Sequence, residues 1–233
     1  MTTRLSSNRR GSVVDIQFDD AGMNLLSAAA LDELEHAIAS LDSDTRVVTF
    51  RSGRDHVFAA GADMAEMREF DGEAARRFAE KGQSLFARIE SVPFLTIALV
   101  DGDCFGGALD LAMAFDFRFA AKRSRFSHPG ARLGIVTGFG GTHRWRSVIS
   151  RKRMARLMLE NQVLTAADAF SIGLVDALFD SLTDGSVDGE VARLASIEPA
   201  RVRFVKEVVL HGTRVPDAEL PTLARSLWEL YEK

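Results

Sequence analysis

Two glycine-bearing turns carry the chemistry that this sequence can be read for: FAAGAD at Phe58–Asp63 and CFGGALD at Cys104–Asp110. Each follows an apolar run that reads as a strand, and each opens a segment that reads as a helix. Glycine at such a turn lets the backbone present an N–H with no Cβ in the way. Two such N–H groups converging on one point form an oxyanion hole, the device that stabilises negative charge on a thioester or ester carbonyl oxygen. The second turn also sets a carboxylate, Asp110, three residues after Gly107. The pattern points to acyl chemistry.

Composition narrows the setting. The 233 residues suffice for one sizeable core, or a core with a helical appendage. Apolar residues make up 46% and charged residues 27%, ordinary values for a globular protein. A formal charge of −4 gives no footing for nucleic acid or an anionic membrane surface. Cys104 is the single cysteine, so no internal disulfide forms, as suits a reducing compartment. The N-terminal MTTRLSSNRRGS lacks the apolar core of a secretory signal. The longest apolar stretch, Val92–Val100, is about half a membrane span and contains Pro93. The expectation is a cytoplasmic protein.

Elements that would position the turns follow from periodicity. Alternation predicts a strand at Val13–Phe18, and Arg46–Arg51 and Phe117–Ala121 also read as strands, with a short one at Arg125–Ser127. Phe94–Val100 reads as a fully buried strand and Val175–Phe179 as a last one. Ser27 caps a helix to about Leu41, with Leu31, Leu34, Ile38 and Leu41 on one face. Further helices are expected at Glu73–Glu90, from Gly106–Gly107 to about Phe115, around Trp145 and Val148, at Arg151–Glu160 and at Ala166–Ile172. The C-terminal part reads as helices near Val187–Ala195, Pro199–Leu210 and Pro216–Tyr231. Strands alternating with helices predict an α/β architecture with a helical C-terminal region. No internal repeat or long linker is visible.

Four segments, in this order and spacing, resemble the crotonase superfamily, also called the enoyl-CoA hydratase/isomerase family. They are FAAGADMAEM at 58–67, ALVDGDCFGGALDLAMAFDFRFAA at 98–121, RFSHPGARLGIVTGFGGTHRW at 125–145 and LTAADAFSIGLVDALF at 164–179. Each alone is a weak glycine motif; the ordered set is specific. The resemblance implies the crotonase-type ββα superhelix (the ClpP/crotonase fold), with residues 1–180 as the core and 181–233 as a short helical trimerisation region. It implies a coenzyme A thioester as substrate, no prosthetic group and no metal, and a homotrimer or a dimer of trimers. Ala62 and Gly107 match the two oxyanion-hole residues, and Ala60, Ala62, Asp63, Met64, Gly106 and Gly107 fall in the thioester-binding segments. Gly107 also begins a helix, whose dipole adds to the effect.

The sequence departs from the family in the proton-moving half. Hydratases of this kind use two glutamates. The position of the first is Asp110, an acid one methylene shorter; the position of the second, directly after Pro129, is Gly130. Water addition needs a base for the water and an acid for the α-carbon, or one group serving as both. Asp110 alone could shuttle a proton, His128 could act as base or acid near neutral pH, or a bound anion such as bicarbonate could fill the space beside Gly130. The family's lysine or arginine two residues after the aspartate of GAD is Ala65 here. The chain also stops at Lys233, earlier than most members, so the helix that often covers the coenzyme is expected to be missing. The basic run Arg144, Arg146, Arg151, Lys152, Arg153 and Arg156 could meet phosphates, but such runs are usually solvated helix faces.

Plainer readings stand beside these. Gly61 and Gly107 could serve tight turns only, and Asp110 could stabilise the start of its helix. His128, His56 and His143 could be ordinary loop histidines. Asp63 and Asp116 read best as acceptors for backbone groups. Leu109, Met113 and Phe117 read as core, and Cys104 as a buried, inert thiol. The reaction expected first is that of an enoyl-CoA hydratase or isomerase with altered acid–base residues. Acyl-CoA decarboxylation or hydrolysis is the alternative within the family, and a non-catalytic thioester-binding paralogue the alternative outside enzyme chemistry.

Overall fold

The computed structural model describes residues 5–135, 137–183, 185–210 and Gly212. Along the chain, β1 (Leu5–Arg10) and β2 (Val13–Phe18) form a hairpin, and β3 (Leu25–Leu26) leads to α1 (Ala28–Ala39). Then come β4 (Val47–Ser52), β5 (Val57–Ala59), β6 (Gly61–Ala62), α2 (Met64–Arg68) and the long α3 (Gly72–Ser91). The central stretch holds β7 (Leu95–Val100), β8 (Asp103–Phe105), α4 (Gly107–Ala112), β9 (Phe117–Ala121) and β10 (Arg125–Ser127). A 3₁₀ turn at Pro129–Leu133 precedes α5 (Gly141–Val148), α6 (Arg151–Leu159), β11 (Leu164–Thr165), α7 (Ala166–Ser171) and β12 (Ala177–Phe179). The chain continues through α8 (Asp188–Ala195) and α9 (Pro199–Phe204) into a wide π turn at Val205–Leu210.

A six-stranded sheet in the order β1-β2-β4-β7-β9-β12 is parallel except for the β1–β2 hairpin. A second sheet, β11-β10-β8-β5, lies beside the turns that matter for function, and β3 pairs with β6. Both faces of the six-stranded sheet are covered, as a parallel sheet requires. On one face Val48, Phe50, Ala98 and Val100 pack with residues of α1, α3 and α4. On the other, Val47, Leu95, Ile97, Leu99 and Phe119 meet Val191 and Leu194 of α8 and Val202 of α9. The period of two along β4 and β7 thus divides the apolar side chains between two cores.

Helix starts follow from side-chain capping. The Ser27 hydroxyl accepts the Ala30 N–H at 3.1 Å, and Asp71 accepts the Ala74 N–H at 2.7 Å. Thr165 and Asp168 cap each other's backbone at the start of α7. Several boundaries differ from the sequence expectation. The helix after Gly107 stops at Ala112 rather than near Phe115. The last strand begins at Ala177 rather than Val175, because the Leu174 and Val175 N–H groups turn back to the Ala169 carbonyl. The helix expected over Pro199–Leu210 is α-helical only to Phe204. In the π turn that follows, the Lys206 ammonium is buried on the Phe94 carbonyl (2.9 Å) and Asp116 (2.8 Å). Strand β1 was not expected: LSSNRR is polar and mostly exposed, so it carries no alternation to read. The helix expected at Pro216–Tyr231 lies outside the described residues.

Among the described residues no helix is long and apolar enough to cross a membrane. No cluster of three or more His, Cys, Asp or Glu suited to a metal ion occurs among them.

Candidate active site

The two glycine turns meet across the β5–β8 pairing. Gly61 has φ +98°, and a Cβ there would lie 2.8 Å from the Phe105 carbonyl oxygen and 3.0 Å from the Gly107 nitrogen. Only glycine lets these two segments approach so closely. Gly106, at φ +57° and ψ −127°, turns the chain from β8 into α4. The Ala62 nitrogen lies 3.4 Å from where a Cβ of Gly107 would stand. Ala62 and Gly107 therefore lie side by side, and both line one cavity. Gly107 is the first residue of α4, where an N–H has no carbonyl a turn earlier to bond.

Strand β10 brings in the histidine. It runs parallel to β8 with Ser127 opposite Phe105, and the Gly106 N–H donates to the Ser127 carbonyl at 2.9 Å. His128 follows directly and is buried, as is Asp110 in α4. The His128 Nε2 lies 3.5 Å from Asp110 Oδ2, and the Trp145 Nε1–H donates to Asp110 Oδ1 at 3.1 Å. The Thr137 hydroxyl donates to Asp110 Oδ2. A Cβ at Gly141, the first residue of α5, would collide with the Asp110 carboxylate, so the carboxylate rests against the positive end of that helix. The His128 Nδ1 is buried and has no hydrogen-bond partner. It lies 3.2 Å from where a Cβ of Gly130 would stand.

One cavity of about 220 Å³ gathers Ala60, Ala62, Met64, Gly106, Gly107, Asp110 and His128. Gly130 and Thr137 complete its polar floor, and the other walls are largely apolar, including Met67, Phe78 and Phe139. Asp63 is not on the cavity wall: its carboxylate caps α2 by accepting the Ala65 and Glu66 N–H groups at 2.9 and 3.1 Å. Asp116 accepts the Thr96 N–H at 2.8 Å, also a backbone role. His56 and His143 are exposed. In the basic run, Arg144 turns inward to Glu90 at 2.8 Å, and the other five cations are exposed. Cys104 is fully buried, and burial, with the charges of Asp110 and Asp103, pushes its thiol well above the usual cysteine range. Thr137, Trp145 and Phe139 were not expected in the site. Trp145 read only as one apolar residue of a helix, and no spacing rule links 137 or 145 to Asp110 before α4 and α5 are packed together.

With strands β5, β8 and β10 and helix α4 arranged in this way, the sequence profile of enoyl-CoA hydratases/isomerases matches residues 8–230. The chain belongs to the enoyl-CoA hydratase/isomerase family. A short-chain-enoyl-CoA hydratase of Clostridium acetobutylicum is 31% identical over 193 residues, 82% of this chain and 74% of that protein. A crotonyl-CoA hydratase of Syntrophomonas wolfei is 37% identical over 156 residues, 66% of this chain and 60% of that protein, less than two thirds of its length. The enoyl-CoA hydratase of Bacillus anthracis superposes with a TM-score of 0.87 at 27% identity, covering 98% of this chain and 90% of that one. Pseudomonas aeruginosa DspI superposes with a TM-score of 0.88 at 26% identity, covering 97% and 95%. The α/β crotonase architecture expected from the four sequence segments is therefore the one observed, and the chain is an acyl-CoA enzyme of hydratase or isomerase type.

Proposed function

We propose that this family member forms an enolate or oxyanion at the carbonyl of a coenzyme A thioester and moves protons with one Asp–His pair in place of two glutamates. The observation that supports it is the shared cavity: Ala62 and Gly107 line the same space as Asp110 and His128. In this reading the two N–H groups hold the thioester oxygen. Losing one such donor costs about 3 kcal/mol of transition-state stabilisation. Asp110, fixed by Trp145 and Thr137, orients His128 with the proton on Nε2, and Nδ1 takes or gives the proton at the substrate. Ala60, Met64 and Gly106 line the approach of the thioester.

A second reading, decarboxylation or hydrolysis of an acyl-CoA, draws support from Gly130. A Cβ there would lie 2.6 Å from the Ile135 carbonyl oxygen, so the backbone leaves no room for the first carbon of a side chain at this position. Loss of carbon dioxide from a carboxylated acyl group leaves its electron pair in the enolate, which then needs only one proton. Hydrolysis needs one base for one water. Both use the oxyanion pair fully and a second carboxylate not at all. We further propose a cytoplasmic homotrimer or hexamer with residues 181–233 in the subunit contacts, which sedimentation would test.

Mass spectrometry of a panel of acyl-CoAs incubated with the protein tests the reading. Product should form from some member of the panel, and both Asp110→Asn and His128→Gln should reduce its rate by about a hundredfold or more. Crotonyl-CoA hydration should be weak. Turnover unchanged in both variants refutes the Asp–His assignment. Binding with no product across the panel favours a non-catalytic paralogue.

A further inference from the structure

The Phe139 ring lines the cavity beside Gly107. Phe139 is buried, edge-on to Phe78 (centroids 5.2 Å apart) and Phe86 (5.5 Å). Its Cε2 lies 2.9 Å from where a Cβ of Gly107 would stand, so the ring abuts that residue. Behind it a Cβ at Gly82 would overlap the ring, with Cε1 at 2.6 Å. Gly82 lies inside the 20-residue helix α3, where glycine costs roughly 0.5–1 kcal/mol relative to alanine. The space it leaves is the space the ring fills. The flanking backbone is tied down on both sides: Gln83 Nε2–H donates to the Gly138 carbonyl at 2.7 Å, and Arg144 Nη1–H to the Phe139 carbonyl at 2.8 Å. Arg144 is itself held by Glu90 at 2.8 Å.

We propose that Phe139, seated on Gly82, is the specificity-determining residue of the site and restricts it to short acyl groups. The proposal rests on the thioester reading of the cavity. With the carbonyl oxygen between the Ala62 and Gly107 N–H groups, the carbons that follow run toward the Phe139 ring. A longer chain has to displace that ring, and Phe78, Phe86 and α3 already pack against its other sides. Shortening the side chain opens the cavity toward Gly82; adding a methyl at 82 drives the ring the opposite way, into the cavity.

Titration calorimetry with free coenzyme A, butyryl-CoA and octanoyl-CoA tests this without requiring that the reaction be known. The wild-type protein should bind butyryl-CoA more tightly than octanoyl-CoA. In Phe139→Ala the ratio of the two dissociation constants should move toward octanoyl-CoA by roughly tenfold or more, the range expected for a change of pocket depth, with coenzyme A affinity unchanged. Gly82→Ala should move the ratio the other way, which a merely destabilised site would not do. Phe139→Leu, a smaller change, serves if the alanine variant does not fold. An unchanged ratio in the Phe139 variants, with coenzyme A and thioesters still bound, overturns the assignment of Phe139 alone. Wild-type protein that binds none of the three overturns the thioester reading and this proposal with it.

Discussion

Replacing Gly130 by glutamate would restore the acid that the family's hydratases carry after the proline, yet the geometry predicts that hydration will not follow. A Cβ at 130 would stand 2.6 Å from the Ile135 carbonyl oxygen and 3.2 Å from both Cε1 and Nδ1 of His128. A methyl carbon and a carbonyl oxygen normally come no closer than about 3.3 Å. The Ile135 carbonyl cannot retreat freely, because the Ile135 N–H donates to the Gly130 carbonyl at 2.9 Å and closes the turn. Overpacking of this kind costs about 1–3 kcal/mol, which for a chain of this size lowers the melting temperature by roughly 2–12 °C. Gly130→Ala carries the same Cβ and isolates the steric part; both variants should melt below the wild type. In Gly130→Glu the side chain starts 3.2 Å from the His128 ring, so seating the carboxylate should disturb the His128–Asp110 pair, and a second acid would come at the expense of the first pair. The assays are thermal unfolding and crotonyl-CoA hydration followed by loss of the conjugated thioester absorbance. A Gly130→Ala protein melting within about 1 °C of wild type, together with a hundredfold or greater gain in hydration by Gly130→Glu, a general acid–base effect of about that size, would refute the reasoning.

Trp145→Phe removes the donor 3.1 Å from Asp110 Oδ1; it should cost about 1–3 kcal/mol in denaturant unfolding and lower turnover while leaving KM unchanged, and unaltered turnover would show that the indole does not hold Asp110. Lys206→Met should destabilise by about 3–5 kcal/mol because it leaves the buried Asp116 without its cation, and Asp116→Asn in the same protein should recover much of the loss. Burial holds the Lys206 ammonium below the usual lysine range, so the native lysine sheds its proton before the unfolded one does. Its contribution to stability therefore rises with pH across that interval, is complete above the unfolded pKa, and is lost as pH falls through the native one; urea unfolding at alkaline pH should lose that slope in Lys206→Met. Cys104, with its thiol raised by burial, should resist iodoacetamide in the native protein and react in urea, as mass spectrometry would show.

What the sequence could disclose follows from the range of the interactions. Ser27 and the Leu31, Leu34 and Ile38 face declare α1 within a dozen residues, and α1 is found at Ala28–Ala39. The apolar run of β7, interrupted only by Thr96, declares a strand buried on both faces. Gly61, Gly106 and Gly107 are legible because backbone strain and close approach leave few residue types that fit. The environment of Asp110 was not legible. Thr137 and Trp145 reach it across 27 and 35 residues, and only the packing of α5 and the loop before it against α4 creates that juxtaposition. The reason for Gly130 was hidden as well: the sequence says which residue is absent, while in the fold a carbonyl oxygen and an imidazole edge crowd the position of a Cβ there.

That crowding bears on the three ways the proposed chemistry could proceed without a second glutamate. An anion in the vacated space would face the Ile135 carbonyl oxygen, 2.6 Å from the Gly130 Cβ position, and electron-rich groups repel. Asp110 acting alone would have to turn a lone pair toward the substrate, but Trp145 occupies Oδ1, and Thr137 and His128 share Oδ2. Freeing an oxygen means breaking a buried hydrogen bond, at about 1–3 kcal/mol. His128 is different. Its Nε2 faces Asp110, and its buried Nδ1 has no partner to lose. Of the polar side-chain atoms in the floor, Nδ1 is the one with no hydrogen bond to break, so in the proposed route this one nitrogen takes a proton from one carbon and returns it to another, or delivers a single proton to the enolate that decarboxylation leaves. In the proposed chemistry such a reaction needs one station, in keeping with a cavity that holds one Asp–His pair and has glycine at position 130.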